Sequence, residues 1–217
     1  HPVTGAIKHA DLLLAQKDEE VLKKLQPELL ITCGLSVMSK NLKLFLRKYR
    51  PMQHWHIQPA GPAADTFQAL TQVIHSSPTS FLQQMSVEET PSAEQQTFSQ
   101  FWQQQESHSD SFVNELFDAG HEGMDQPNEF QAVQEVLTHL PDGSNLHLAN
   151  SMAVRYANLI GLNIQQQRVE VFANRGTSGI DGSNSTAVGS ALTSDKLTVL
   201  LTGDLAFFYD RNAFWHN

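Results

Sequence analysis

Apolar positions along this chain follow two rhythms that alternate. The run Leu29-Leu30-Ile31-Thr32-Cys33, closed by Gly34, reads as a buried strand over 28–33. Leu42, Phe45 and Leu46 recur at i, i+3 and i+4, which predicts an amphipathic helix over 39–49. A short helix is expected at 19–25 and a second strand at 53–58 (QHWHIQ). This order of strand, helix and strand predicts a parallel sheet with helices on its faces. The polar stretch 86–96, with Pro91 inside it, breaks the pattern and is the expected domain boundary. Beyond it, 97–119 is rich in Gln and Phe and predicts one or two helices with a break near 107–110. Phe130, Val133, Val136, Leu137 and Leu140 share a helical face over 128–140, and Pro141-Asp142-Gly143 ends it.

From there strands and helices alternate. Strands are expected at 145–149, 169–172 and 197–202, and helices at 152–160, 181–192 and from Tyr209 onward. Asn150 and Ser151 read as caps of the first of these helices. The segment LTVLLT is apolar throughout, as in a strand buried on both faces. No internal repeat is visible.

Composition narrows the class. The 217 residues suffice for one large or two small domains. A net charge of −9 argues against a nucleic-acid partner, which needs a basic face. No apolar run reaches the length of a membrane span, so no membrane insertion is expected. The start, HPVTGAIKHADLLL, lacks Met and the layout of a secretory leader, so a fragment or processed product is expected. The single cysteine, Cys33, excludes an internal disulfide and fits a reducing cytoplasm; it reads as a small buried hydrophobe.

Candidate chemistry gathers in 174–210. The glycines of 175–182 fit a plain turn entering a helix, or a loop whose backbone lies against a ligand. Arg175 beside them offers a planar fork for a carboxylate or phosphate. Gly203-Asp204-Leu205 follows a predicted strand, where open α/β sheets place ligands. Asp204 there reads as a metal or ribose ligand, or as a helix cap. Asp210 reads as a cap or first-turn residue. Ser151 and Arg155, four apart on one helix face, follow another strand; a surface ion pair is the plainer role for Arg155. His54 and His56 flank Trp55 and point to one side of a strand, but no third ligand of suitable spacing follows, so a metal pair is not expected. HExxH, CxxC and GxSxG are absent.

The segments NSMAVR, NRGTSGIDGSNSTAVGSAL and LLTGDLAFFYDRNA resemble the MenD family, the thiamine-diphosphate-dependent 2-succinyl-5-enolpyruvyl-6-hydroxy-3-cyclohexene-1-carboxylate synthases of menaquinone biosynthesis. ADLLL and SKNL extend the resemblance more weakly into the first 90 residues. It implies an α/β, three-layer αβα fold with parallel sheets, an incomplete thiamine-diphosphate-binding fold. Residues 1–90 would be the latter part of a central Rossmann-like domain, and 91–217 the first part of the diphosphate- and metal-binding domain. The implied enzyme is a cytoplasmic, self-associating transferase, a homodimer or homotetramer. It decarboxylates 2-oxoglutarate and adds the succinyl carbanion to isochorismate. By resemblance, Asp204 is the first ligand of Mg2+ or Mn2+, and Ile180, Gly203 and Leu205 contact the cofactor. Ser151, Arg155 and Arg175 hold carboxylates, and Lys40 reaches the isochorismate side. Ala206 stands where the family often has Ser. The activating glutamate belongs to a domain before this chain, and the second metal ligand, an Asn, lies further on than Asn212 or Asn217. The resemblance therefore implies no catalytic residue here and an inert isolated chain. Another thiamine-diphosphate decarboxylase or ligase, and a non-catalytic nucleotide-binding domain, are the competing classes.

Overall fold

The computed structural model describes residues 6–34, 37–85, 90–119, 128–163, 165–175 and 179–215, with side chains for all of these but 116–119. Two parallel three-stranded sheets organise the chain, one in a compact unit of His9–Ser111 and the other in a unit that takes in Phe112–Asn217. The division falls within one long helix, and part of the expected boundary, 86–89, lies outside the described residues.

The first unit contains α1 (Ala10–Leu13), α2 (Glu19–Lys24), β1 (Leu29–Cys33), α3 (Lys40–Lys48), β2 (Gln53–Gln58), β3 (Gln72–His75), α4 (Pro78–Met85) and most of α5 (Ala93–Ala119). Its strands run in the order β1-β2-β3, with Leu29 opposite Gln53 and Trp55 opposite Gln72. Ser39 caps α3 by accepting from Leu42 N at 2.9 Å, and Arg47 and Lys48 close its last turn, where cations suit the dipole. Phe45 and Leu46 turn inward from α3, and Ile57 and Phe67 are buried in the same unit. Each such side chain stabilises the fold by roughly 2 kcal/mol. The ring of Trp102 meets Phe45 edge-on at 6.4 Å.

Two expectations are corrected here, and two elements are added. The helix over 93–119 is continuous across 107–110, because Ser107 and Ser109 donate back to the carbonyls of Gln103 and Gln105 instead of opening a turn. Cys33 is exposed, not buried, because β1 is an outer strand of this sheet. β3 and α4 were not anticipated; β3 offers only Val73 and Ile74 as apolar residues and is made by pairing with β2.

The second unit holds α6 (Glu129–His139), β4 (Asn145–Leu148), α7 (Met152–Ile160), β5 (Glu170–Ala173), α8 (Ser183–Leu192), β6 (Thr198–Leu201), α9 (Asp204–Tyr209) and a 3-10 turn, Arg211–Phe214. Asn128 and Gln131 form a capping box at the start of α6. Gln166, itself buried, donates to the carbonyls of Leu137 and Leu140, both at 2.7 Å, and so satisfies the orphan acceptors at that helix's end. The sheet order is β5-β4-β6, all parallel. From β4 the chain passes through α7 to β5 on one side, then returns through α8 to β6 on the other. This reversal makes β4 the switch point of the sheet.

Burial differs from the sequence reading. β4 is buried at every position, whereas apolar β6 is half-buried because it forms an outer strand. The last helix begins at Asp204 and ends at Tyr209, where it was expected to start. Asp210 does act as a cap, but for α8: its two oxygens accept from Ser185 N and Ser185 Oγ, both at 2.6 Å.

Candidate functional site

The three strands of the second unit end level, with Leu148 opposite both Ala173 and Leu201. The residues that follow them are therefore delivered to one edge of the sheet: Asn150 and Ser151 after β4, Asn174 and Arg175 after β5, Gly203 and Asp204 after β6. A cavity of about 340 Å3 opens there. Ser151, Ile180, Gly203, Asp204 and Leu205 all line it, while Val133 and Val136 of α6 give it an apolar wall. Glu129, at the first position of α6, adds a second carboxylate to the wall that the sequence reading passed over.

Ser151 occupies the cap position of α7 with φ 75° and ψ −129°. A side chain in that region costs about 1–3 kcal/mol, a strain that collects at functional sites. Contrary to expectation, the Ser151 side chain makes no capping hydrogen bond. Met152 and Ala153, the first residues of α7, line the cavity, so the positive end of this helix borders it. Asp204 opens α9, and its Oδ1 accepts from Leu205 N at 2.7 Å. A helix start that favours an anion and a carboxylate at the same cavity are chemically compatible when a divalent cation lies between the carboxylate and an anionic ligand.

Asn150, which the sequence reading treated only as a cap, ties this edge together. It is buried, its Nδ2 donates to the carbonyls of Asn174 (2.8 Å) and Gly179, and its Oδ1 accepts from Arg175 Nη1 at 2.8 Å. The signal available in sequence was a polar residue immediately after the expected strand NLHLA. Arg175 is thus tied to Asn150, which lines the cavity, but is not itself a lining residue. Residues 176–178 of the glycine turn lie outside the described residues. Arg155 is exposed on α7, one turn past Ser151, outside the cavity lining, and among the described residues it forms no ion pair. Lys40 is exposed at the first position of α3 and belongs to the other unit.

In the same sheet, His147 of β4 is buried and stacks on Phe172 at 4.9 Å. Burial pushes its pKa below the ordinary histidine value. In the first unit, His54 and His56 do share one side of β2: Thr32 Oγ1 lies 2.8 Å from His54 Nε2 and 2.9 Å from His56 Nδ1. Both rings are thereby engaged by a hydroxyl. Among the described residues, no group of three or more His, Cys, Asp or Glu side chains is gathered for a metal.

The family model described as the middle domain of thiamine pyrophosphate matches residues 2–148. A 2-succinyl-5-enolpyruvyl-6-hydroxy-3-cyclohexene-1-carboxylate synthase of Cytophaga hutchinsonii is 46% identical over 217 residues, covering all of this chain and 37% of that protein. The Flavobacterium johnsoniae synthase of the same name is 39% identical over 223 residues, again all of this chain and 37% of the relative. That of Desulfotalea psychrophila is 34% identical over 210 residues, covering 97% of the chain and 35% of the relative. The chain therefore spans little more than a third of the length of the curated relatives it matches.

Proposed function

We propose, from the premise that this chain belongs to the thiamine-pyrophosphate enzymes and stands among their 2-succinyl-5-enolpyruvyl-6-hydroxy-3-cyclohexene-1-carboxylate synthases (the MenD family), that it is part of such a synthase. The whole protein would be a transferase that decarboxylates 2-oxoglutarate and joins the resulting succinyl group to isochorismate. The observation that carries this reading is the convergence of Ser151, Ile180 and Asp204 on one cavity at the sheet's switch point.

Thiamine diphosphate, when bound, supplies the electron sink for decarboxylation and carbon–carbon bond formation. The residues present suit it: the positive end of α7 and the Asp204 carboxylate at one edge, apolar side chains opposite. Asp204 would hold Mg2+ or Mn2+ against the diphosphate, with Gly203 and Leu205 beside it. Ile180 would support the cofactor's apolar body. Arg175, Ser151 and Arg155 would bind substrate carboxylates, two of them through guanidinium forks. Lys40 is assigned to the isochorismate side. Residues 1–90 are assigned to the central domain and 91–217 to the diphosphate domain. The full-length protein is expected to self-associate and to work in the cytoplasm.

The test is Asp204→Ala in the full-length protein, with thiamine diphosphate binding measured by calorimetry at saturating Mg2+. Metal-dependent binding should disappear. Unchanged affinity would refute the assignment of Asp204.

A further inference from the structure

We propose that Asn150 is a positioning residue that presents Arg175 to a substrate carboxylate. This rests on the reading of Arg175 as a carboxylate-binding residue. Both polar atoms of the Asn150 amide are engaged. Its nitrogen holds two backbone carbonyls, those of Asn174 and Gly179, on either side of Arg175 in sequence. Its oxygen takes one N–H of the guanidinium itself, at 2.8 Å. One buried side chain thus fixes both the backbone that carries Arg175 and the direction of its head group.

The chemistry of the tie matters as much as its geometry. Arg175 is half-buried, and among the described residues Asn150 is its one hydrogen-bond partner and no carboxylate neutralises it. A guanidinium has five N–H donors, so one spent on Asn150 leaves a fork free for a bidentate carboxylate. An amide is the group that orients the fork while leaving its charge intact. An aspartate in the same place would accept from Arg175 but would supply the counter-ion that the substrate is meant to supply. It would also lose both donors to the loop carbonyls. Asn150 and Ser151 are consecutive, so the same tie anchors the backbone just before the left-handed residue at the head of α7.

The experiment is a double-mutant cycle on the full-length protein, with 2-oxoglutarate binding followed by calorimetry in Asn150→Ala, Arg175→Ala and the double variant. Each single change should weaken binding about tenfold, the loss expected for a hydrogen bond to a charged group. The double variant should bind no more weakly than Arg175→Ala, because Asn150 acts through Arg175. Additive losses, or a single Asn150→Ala loss below twofold, would overturn the proposal, as would a wild type that binds no 2-oxoglutarate. Should Asn150→Ala fail to fold, Asn150→Asp carries the test: it keeps the shape and the acceptor, and tenfold weaker binding is expected, whereas unchanged affinity refutes the role. Synthase turnover by the wild type, measured separately, decides the parent activity and not the Asn150–Arg175 coupling.

Discussion

At Ser151 the backbone takes a conformation that glycine adopts without cost and serine does not. Its hydroxyl caps nothing, so local helix formation does not explain a serine here. Function and stability should therefore separate at this position. Ser151→Ala keeps the Cβ and the strain; Ser151→Gly removes both, against a smaller gain in unfolded-chain entropy. The glycine variant is expected to be more stable than the alanine variant by about 1 kcal/mol. Both should lose substrate affinity alike, because both lack the hydroxyl. Urea unfolding of the two variants checks the first expectation, and equal midpoints would show that the left-handed geometry carries no strain. The residue scale is also where sequence reading was most uneven. The placement of Asn150, Ser151, Gly203 and Asp204 at the sheet edge was legible because each comes soon after the end of an expected strand. The ties that Asn150 makes were not, since its three partners come from segments 24 to 29 positions away.

Among the elements, β2 and β4 are the middle strands of their sheets, and each buries an imidazole, His54 and His147. Burial lowers the pKa of both; at His54 the Asp65 charge opposes the effect and the His56 charge reinforces it. In the unfolded chain each ring takes a proton near pH 6.5, but in the folded chain only at lower pH. The unfolded state then binds more protons, so stability rises with pH across that interval. The contribution is complete above the unfolded value and is lost as the pH falls through the folded one. Unfolding midpoints of the chain should drop between pH 7.5 and pH 5.5, and the double variant His54→Gln, His147→Gln should show a flatter profile. An identical slope would assign the pH dependence to other groups. Local pattern explains why α3 and β2 were read within a residue of their bounds, since each has its own periodicity and turn chemistry. Which strand lies in the middle is a different kind of fact. The relative burial of β4 and β6 follows from the order β5-β4-β6, and no pattern within either strand contains that order.

For the molecule as a whole, the charge and the length of the chain set the final constraint. Its net charge of −9 repels the anionic diphosphate and dicarboxylates that the proposed synthase binds, so attraction has to be local. In the proposed synthase the local sources would be Arg155, Arg175, the positive end of α7 and a cation that Asp204 would hold. No cluster of three or more acidic, His or Cys side chains among the described residues could hold that cation unaided. Under the proposal its remaining ligands would come from the diphosphate, from water and from other parts of a protein of which this chain matches little more than a third. The 217-residue chain alone should therefore show no synthase turnover with thiamine diphosphate, Mg2+, 2-oxoglutarate and isochorismate supplied, whereas the full-length protein should. A steady-state assay of both, at equal molar concentration, makes the comparison. Turnover by the isolated chain would mean that the site between β4 and β6 is sufficient by itself, and that the division of labour proposed for the full-length protein is wrong.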